Sequence, residues 1–341
     1  MLRLGILTSG GDCPGLNAVI RSAHIRLSRE HRGQLVGFRN GWRGVVENDV
    51  IPVSEDSTRG IAGLGGTILG TSRTNPLDAD PTGSRVKRAI SDNSLDGIIA
   101  IGGEGSLSAA HALVRTGVNV VGVPKTIDND LNGTDYSFGF DTAVQIATDA
   151  MDRLLTTGAS HARCMVVEVM GRDSGWIALH SGIATGAHAV LIPEQPASIE
   201  QVIGWVESAR ERHQPPLVVV AEGFPLGDVG VVAERGHEPS GRPRLGGVGE
   251  LLARLIEGRT GIETRATTLG HIQRGGTPTA YDRVLAARFG AAAVDAAARG
   301  EWGRMVSLRG ETIVTADLAE AIGSVKSITS QRYRRAAVCF G

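Results

Sequence analysis

The sequence predicts an α/β fold of the doubly wound type in two domains, and three observations carry that expectation. Short runs of Val, Ile and Leu bounded by Gly, Pro, Asn or Asp recur along the chain and are continuously apolar, as strands buried on both faces of a parallel sheet are. Helical patterns separate several of them, and alternating β and α elements imply this topology. The 341 residues are enough for one large or two ordinary domains with separate cores, and two is the expectation.

Strands are predicted over residues 2–7, 35–38, 97–101, 118–123, 164–169, 190–193 and 217–221. The first is followed by a helix over residues 14–29. Leu16, Val19, Ile20, Ala23 and Leu27 form its apolar stripe, Arg21, Arg26 and Arg29 carry much of its polar face, and Pro14 suits its first turn. A second helix is expected from about Leu107, and an Ala-rich one over residues 281–299 should dock on a sheet. Residues 222–249, where Gly and Pro cluster among alternating charges, read as a surface excursion. There is no repeat of 20–50 residues and no low-complexity tract.

Composition narrows the class. Lys+Arg 35 against Asp+Glu 36 leaves a net charge of −1, so no global field recruits nucleic acid or a membrane surface, and any bound anion must be held by local groups. Gly 47 with only 4% aromatics suits short loops whose backbone approaches a ligand. Cys13, Cys164 and Cys339 are odd in number and widely spaced, indicating neither a disulfide framework nor a zinc site. With no apolar run near the length of a membrane span and no signal-like leader, a cytoplasmic protein is expected.

Four motif groups stand out, most of them just past predicted strands. Thr8-Ser9-Gly10-Gly11-Asp12-Cys13-Pro14-Gly15 offers backbone N–H groups and a helix end to a phosphate, although a bare glycine turn suits it equally, and it lacks the Gly-Lys-Ser/Thr of a Walker loop. Ile101-Gly102-Gly103-Glu104-Gly105-Ser106 lets backbone approach a polyphosphate, with Glu104 able to hold Mg²⁺; a plain tight turn is the alternative. Pro124-Lys125-Thr126-Ile127-Asp128-Asn129-Asp130 packs two carboxylates behind an apolar strand. One could accept a hydroxyl proton while the other serves a metal, a division that explains the composition better than an Asx-rich turn. Met170-Gly171-Arg172, with Arg163 before the same strand, and the segment from Thr264 and Arg265 to His271-Ile272-Gln273-Arg274-Gly275-Gly276 supply guanidinium forks suited to a phosphate monoester, although any one of them alone reads as a solvated arginine. Asp173-Ser174-Gly175 looks like a serine-protease nucleophile segment but lacks the remaining machinery.

Taken together, and in this order over almost the whole chain, these motifs resemble the 6-phosphofructokinase family. The resemblance implies two Rossmann-like three-layer domains with mostly parallel sheets and the active site in the cleft between them. Residues 1–139 plus about 272–323 would bind the donor, and residues 140–271 plus about 324–341 the sugar phosphate. It implies phosphoryl transfer from ATP, with Mg²⁺, to the C1 hydroxyl of fructose 6-phosphate. At matching positions, Asp128 would be the base and Arg172 would stabilise the transferring phosphoryl group. Thr126, Asp130, Met170, Gly171 and Glu222 would contact the sugar. Arg163, Arg265, His271 and Arg274 would grip its 6-phosphate, with Arg163 and Arg265 coming from a neighbouring subunit of a homo-oligomer, expected to be a tetramer and at least a dimer. Gly11, Arg73, Gly103, Glu104, Gly105 and Ser106 would hold donor phosphates, Glu104 and Asp130 would serve Mg²⁺, and Trp42 stands where the family often has an aromatic near the adenine.

Three departures from the common bacterial ATP-dependent pattern stand out. Glu104 replaces the usual Asp. Lys125, on the donor side, replaces a Gly and resembles the pyrophosphate-dependent branch, whereas Gly105 resembles the ATP-dependent one, so the donor hangs on one residue. Ile25 and Leu155 stand where effector-site arginines are expected, which argues against regulation by nucleotides or phosphoenolpyruvate. A lipid or nucleotide kinase would explain the second motif but not 271–276 or 170–172, and a non-catalytic regulatory paralogue would have lost acids or arginines that are all present here.

Overall fold

The structure is a computed structural model. It describes residues 1–227, 230–237 and 243–340, with the side chains of 234–237 excepted. The chain divides into two compact units: Met1–Ile127, Leu131–Thr142 and Arg274–Val325 form the first, and Asp128–Asp130, Ala143–Gln273 and Lys326–Gly341 the second.

The first unit holds β1 (Arg3–Thr8), β2 (Gln34–Phe38), β3 (Val50–Val53), β4 (Gly97–Gly102) and β5 (Val120–Pro124), with β14 (Arg304–Arg309) and β15 (Thr312–Asp317) from its last segment. They form one sheet in the order β15-β14-β5-β4-β1-β2-β3. The five inner strands are parallel, while β3 and β15 join the two edges antiparallel. All six residues of β4 are buried, and each Ile there is worth about 1.5–3 kcal/mol relative to exposure. Alternation along this strand feeds two cores. Ile98 and Ala100 join a cluster with Trp42 and Val45 of α2 (Trp42–Glu47), Val86 and Ala89 of α4 (Ser84–Asp92), and Leu107, Ala110 and Leu113 of α5 (Glu104–Val114). Ile99 and Ile101 project the other way, to the side where α10 (Ala280–Ala298) packs on β4, β5 and β14 and against α1 (Leu16–Glu30). The short α3 (Glu55–Thr58) closes its N-terminus with a reciprocal Ser54–Ser57 capping box.

The second unit contains most of α6 (Phe140–His161) and a parallel sheet, β13-β6-β8-β7, made of β6 (Cys164–Val169), β7 (Ala189–Leu191), β8 (Leu217–Ala221) and β13 (Thr264–Thr268). Val166, Leu191, Val218 and Val220 pack with Val202 and Val206 of α8 (Ile199–Glu211) and with Val248, Leu252 and Ile256 of α9 (Val248–Thr260). The helix α7 (Trp176–Thr185) touches β7, β8 and α11 (Ser330–Ala337).

Every strand expected from the apolar runs is present within two residues of its expected bounds, and the Ala-rich helix falls on Ala280–Ala298. Two helix starts differ. The first helix opens at Leu16, because Gly15 adopts φ 107°, a left-handed conformation that no helical residue shares and that glycine tolerates. The helix expected from about Leu107 opens instead at Glu104, an acid in the first turn where the helix dipole favours it. Of the excursion over 222–249, residues 228, 229 and 238–242 lie outside the described residues. The rest includes two short antiparallel pairs, β9 (Pro225–Leu226) with β10 (Gly230–Val231) and β11 (Ala233–His237) with β12 (Pro243–Leu245).

Candidate active site

In the first unit, the carboxyl ends of β1, β4 and β5 bring three of the sequence motifs side by side. Ser9 N–H donates to Ile101 O at 2.9 Å, and Lys125 N–H to Gly102 O at 3.0 Å, so each loop leaves the sheet tied to its neighbour. The 70–73 segment is laced onto the first loop: Gly10 N–H donates to Ser72 O at 2.9 Å and Thr71 Oγ1 to Gly10 O at 2.6 Å, with Arg73 next in the chain. Gly11 sits between two cations. Lys125 Nζ donates to its carbonyl, and a Cβ at Gly11 would lie 2.8 Å from Arg274 Nη1, the same nitrogen that donates to Asp12 O at 3.3 Å. Any side chain at Gly11 would push Arg274 away from this backbone. Lys125 is only 4% exposed, so its ammonium is held among protein groups.

The second loop presents Gly103, Glu104 and Gly105 as the opening of α5. Glu104 is exposed, with Oε1 accepting from Ser108 Oγ at 2.8 Å. A Cβ at Gly105 would meet nothing within 4 Å. Ser106 is buried, and its carbonyl accepts the Trp42 indole N–H at 3.3 Å. Trp42 itself is fully buried in the core: its ring packs in one cluster with α4 and α5 residues, and its indole N–H ties it to the glycine loop. Thr126 follows, its carbonyl accepting from Ser137 Oγ at 2.9 Å. Cys13 is also packing material, since burial pushes its thiol up to about 12, out of reach of nucleophilic chemistry near neutral pH.

In the second unit, residues 170–172 leave the end of β6 beside residues 222–223. Glu222 N–H donates to Val169 O at 2.9 Å and Gly223 N–H to Gly171 O at 3.1 Å. Gly171 has φ 136°, and a Cβ there would lie 2.5 Å from Ser174 O, so glycine is needed on both counts. Met170 is buried; Arg172 Nη1 donates to Pro243 O at 3.0 Å. Asp128 and Asp130 flank the buried Asn129, whose φ of 51° is unusual for a non-glycine residue. Arg163 and Arg265 converge on one carboxylate: Glu263 Oε2 lies 2.8 Å from Arg163 Nε, while its Oε1 accepts from Arg265 Nη2. Arg163 and Arg265 hold the Glu263 carboxyl below its ordinary value. His271 is exposed in the 3-10 turn Gly270–Arg274.

Comparison with known proteins decides what this arrangement belongs to: a family model described as phosphofructokinase matches residues 3–297. The chain belongs to the phosphofructokinase family. It is 54% identical over its whole length to the pyrophosphate--fructose 6-phosphate 1-phosphotransferase of Amycolatopsis methanolica, covering all of that protein. With the ATP-dependent 6-phosphofructokinase 3 of Streptomyces coelicolor it shares 50% identity over 98% of this chain and 99% of that protein. With the ATP-dependent 6-phosphofructokinase of Mycobacterium tuberculosis it shares 48%, both chains fully covered. Among solved structures, Pichia pastoris phosphofructokinase in the T-state superposes with TM-score 0.81 at 31% identity over 94% of this chain, which spans only 35% of the Pichia chain. A pyrophosphate-dependent phosphofructokinase from Nitrosospira multiformis shares the fold, with TM-score 0.84 at 22% identity over 96% of this chain and 86% of its own. The chain is thus a kinase-type phosphotransferase of glycolysis. Among the described residues, no helix is long and apolar enough to cross a membrane.

Sequence reasoning about this phosphofructokinase overlooks three supporting residues. Glu168, 2% exposed, accepts N–H groups of Gly247 at 3.1 Å and Gly249 at 2.8 Å, pinning the return of the 222–249 excursion to β6. An acid inside the apolar run Cys-Met-Val-Val-Glu-Val is the available signal. Glu263 lies in plain view one residue from Thr264, but sequence does not identify its partners. Lys326 contacts Asn129, 197 residues away in the chain, and no local pattern marks it.

Proposed function

We propose that the enzyme transfers the terminal phosphoryl group of ATP to the C1 hydroxyl of fructose 6-phosphate, giving fructose 1,6-bisphosphate, and works as a homo-oligomer. The observation that carries the choice of donor is the open space at Gly105. A nucleotide must pass its α-phosphate and ribose along the loop 103–106, and a residue without a side chain leaves that path clear and uncharged. Lys125 stands against ATP only weakly. Its ammonium is directed at the Gly11 carbonyl, and a cation near the outer phosphates attracts either donor, since both end in the same diphosphate.

In this reading Asp128 takes the proton of the C1 hydroxyl as the bond to phosphorus forms, and burial of its Oδ1 atom limits competition from water for that proton. Arg172 meets charge on the equatorial oxygens of the transferring group, which passes through a loose transition state in which positioning and electrostatics supply most of the catalysis. Arg274, already beside the Gly11–Asp12 backbone, and His271 grip the 6-phosphate, with Arg163 and Arg265 supplied by a neighbouring subunit. Thr126, Asp130, Met170, Gly171 and Glu222 contact the sugar; Gly11, Arg73, Gly103 and Ser106 contact donor phosphates.

The donor atoms fit Mg²⁺. Among the described residues no group of three or more His, Cys, Asp or Glu forms a metal cage, and Mg²⁺ asks for none, binding through one or two carboxylates plus phosphate oxygens and water. Glu104 and Asp130 would hold it, and when bound it neutralises charge on the donor phosphates.

A coupled assay for fructose 1,6-bisphosphate, run with ATP and separately with pyrophosphate, tests the proposal. Product from ATP supports it. Product from pyrophosphate with none from ATP would overturn the donor and leave the sugar assignment standing.

A further inference from the structure

We infer that Lys326, in the segment leading to the C-terminal helix, is a positioning residue for the acidic loop 128–130; the inference rests on the reading of Asp128 as the base. It lies beyond residue 297, where the family match ends. The loop's middle residue, Asn129, is 2% exposed and sits at φ 51°. Asn adopts this left-handed backbone more readily than most side chains, at a modest cost that local hydrogen bonds offset. Lys326 supplies two of these bonds. Its Nζ donates to Asn129 Oδ1 at 2.9 Å, and its backbone N–H donates to Asp130 O at 2.8 Å. Ser174 Oγ supplies a third on the other side, donating to Asp128 O at 3.4 Å. The two carboxylate-bearing residues are thus gripped through their backbone carbonyls on either side of the left-handed Asn129.

Lys326 is itself anchored. Its carbonyl accepts the Trp176 indole N–H at 2.6 Å, and Trp176 is buried as the first residue of α7. The same indole ring carries two cations, Lys326 Nζ at 5.6 Å and Arg332 at 4.5 Å from its centroid, an attraction that adds to the hydrogen bond. Two residues on, Ile328 N–H donates to Glu194 Oε1 at 3.0 Å, and the same carboxylate accepts Gly175 N–H through Oε2 at 3.0 Å. The segment 326–328 is therefore fastened to the start of α7, shortly after the turn that carries Arg172. One side chain joins the loop of the proposed base to the element that follows the proposed phosphoryl-stabilising arginine.

Lys326→Met removes the ammonium, keeps the aliphatic stem, and leaves the backbone hydrogen bonds intact. The expected result is a kcat about 10–100-fold lower, because a shift of about 1 Å at a reacting group has an effect of that size, with KM for fructose 6-phosphate and for the donor within about threefold of the parent. Lys326→Cys treated with 2-bromoethylamine, which restores an amine at the same reach, should recover most of kcat. The parent treated in parallel controls for alkylation of its own thiols, of which Cys339 is exposed while Cys13 and Cys164 are buried. Thermal unfolding of each variant is recorded alongside.

A Lys326→Met enzyme with kcat within about twofold of the parent would overturn the inference. So would a loss of kcat that the restored amine fails to recover, because the loss would then come from a damaged fold. Asp128→Asn is assayed in the same series to keep the two readings apart. If that variant stays active, Asp128 is not the base and the premise fails. If it is inactive while Lys326→Met is unimpaired, only the role of Lys326 falls.

Discussion

Replacing Asp282 by Asn should change how stability depends on pH. Asp282 is wholly buried, and its Oδ2 accepts the Thr142 N–H at 2.8 Å and the Thr142 hydroxyl at 2.5 Å. Burial raises its carboxyl from 3.8 to about 6, against the opposing pull of those hydrogen bonds. The sign follows from where the proton sits. Between about pH 4 and 6 the folded chain keeps the proton and the unfolded chain has lost it, so this group's contribution to stability declines as pH rises through that window and levels off once both states are ionised. At about 1.36 kcal/mol per pH unit, the full decline is about 3 kcal/mol. Asn accepts from Thr142 in the same way and does not titrate. Urea unfolding of both proteins at several pH values from about 4.5 to 7.5 reads the difference. The Asn variant should gain on the parent by about 2 kcal/mol across that range. A difference that stays flat within about 0.5 kcal/mol, or that favours the parent as pH rises, would refute the argument that burial dominates this carboxyl.

Asp128→Asn should lower kcat about 10²–10⁴-fold with little change in sugar-phosphate affinity, since a general base acts in the transition state; steady-state kinetics with an effect under tenfold would remove Asp128 from that role. Arg172→Ala should likewise lower kcat, whereas Arg274→Ala should mainly raise KM for fructose 6-phosphate, because the 6-phosphate is remote from the reacting hydroxyl; identical behaviour would break this partition. Gly105→Asp should abolish use of ATP by filling the open space with bulk and like charge, while Lys125→Gly weakens donor binding without redirecting it, and nucleotide binding measured by calorimetry checks both. Mixed and reassociated subunits carrying Asp128→Asn and Arg163→Ala should regain part of the activity that each lacks alone; a mixture that assembles and stays inactive would place each site within one chain.

Seven strands are legible in the sequence because they are nearly continuous apolar runs, a pattern that survives without any tertiary information. The antiparallel edge strands β3 and β15 are not, and neither are the parallel β13 and β14, which set Thr, Arg or Ser among their apolar residues. Thr312–Asp317 mixes two threonines and an acid with three apolar residues, of which only Ala316 is buried, and Val50–Val53 is only four residues long and carries a proline, so neither stands out from a loop. The loops at the strand ends announce themselves through glycine and charge, whereas the orientation of Trp42 does not, because sequence does not say which way an aromatic turns. The hidden residues share a cause. Glu168, Glu263 and Lys326 act on backbone or on other polar side chains, and their partners become visible only when the chain is folded. Lys326 in particular stands between a valine and a serine, with nothing to announce its hydrogen bond to Asn129.

The order of strands in the first sheet has a consequence for synthesis. β5 is complete by residue 124, but its parallel neighbour β14 begins at Arg304. Until the ribosome has made that strand, one edge of β5 has no partner of its own sheet, and an unpaired edge of buried apolar residues is the kind of surface that recruits other chains. In the second sheet the wait is shorter: β6 ends at Val169 and its neighbour β13 begins at Thr264, so all four strands come from residues 164–268. On an emerging chain the middle of the sequence can therefore close its sheet while the beginning still lacks its partner. Holding β5 safe through that interval is a task for the cell's chaperones, and translation that stalls before residue 304 releases a product with an open sheet edge ready to pair with the wrong chain.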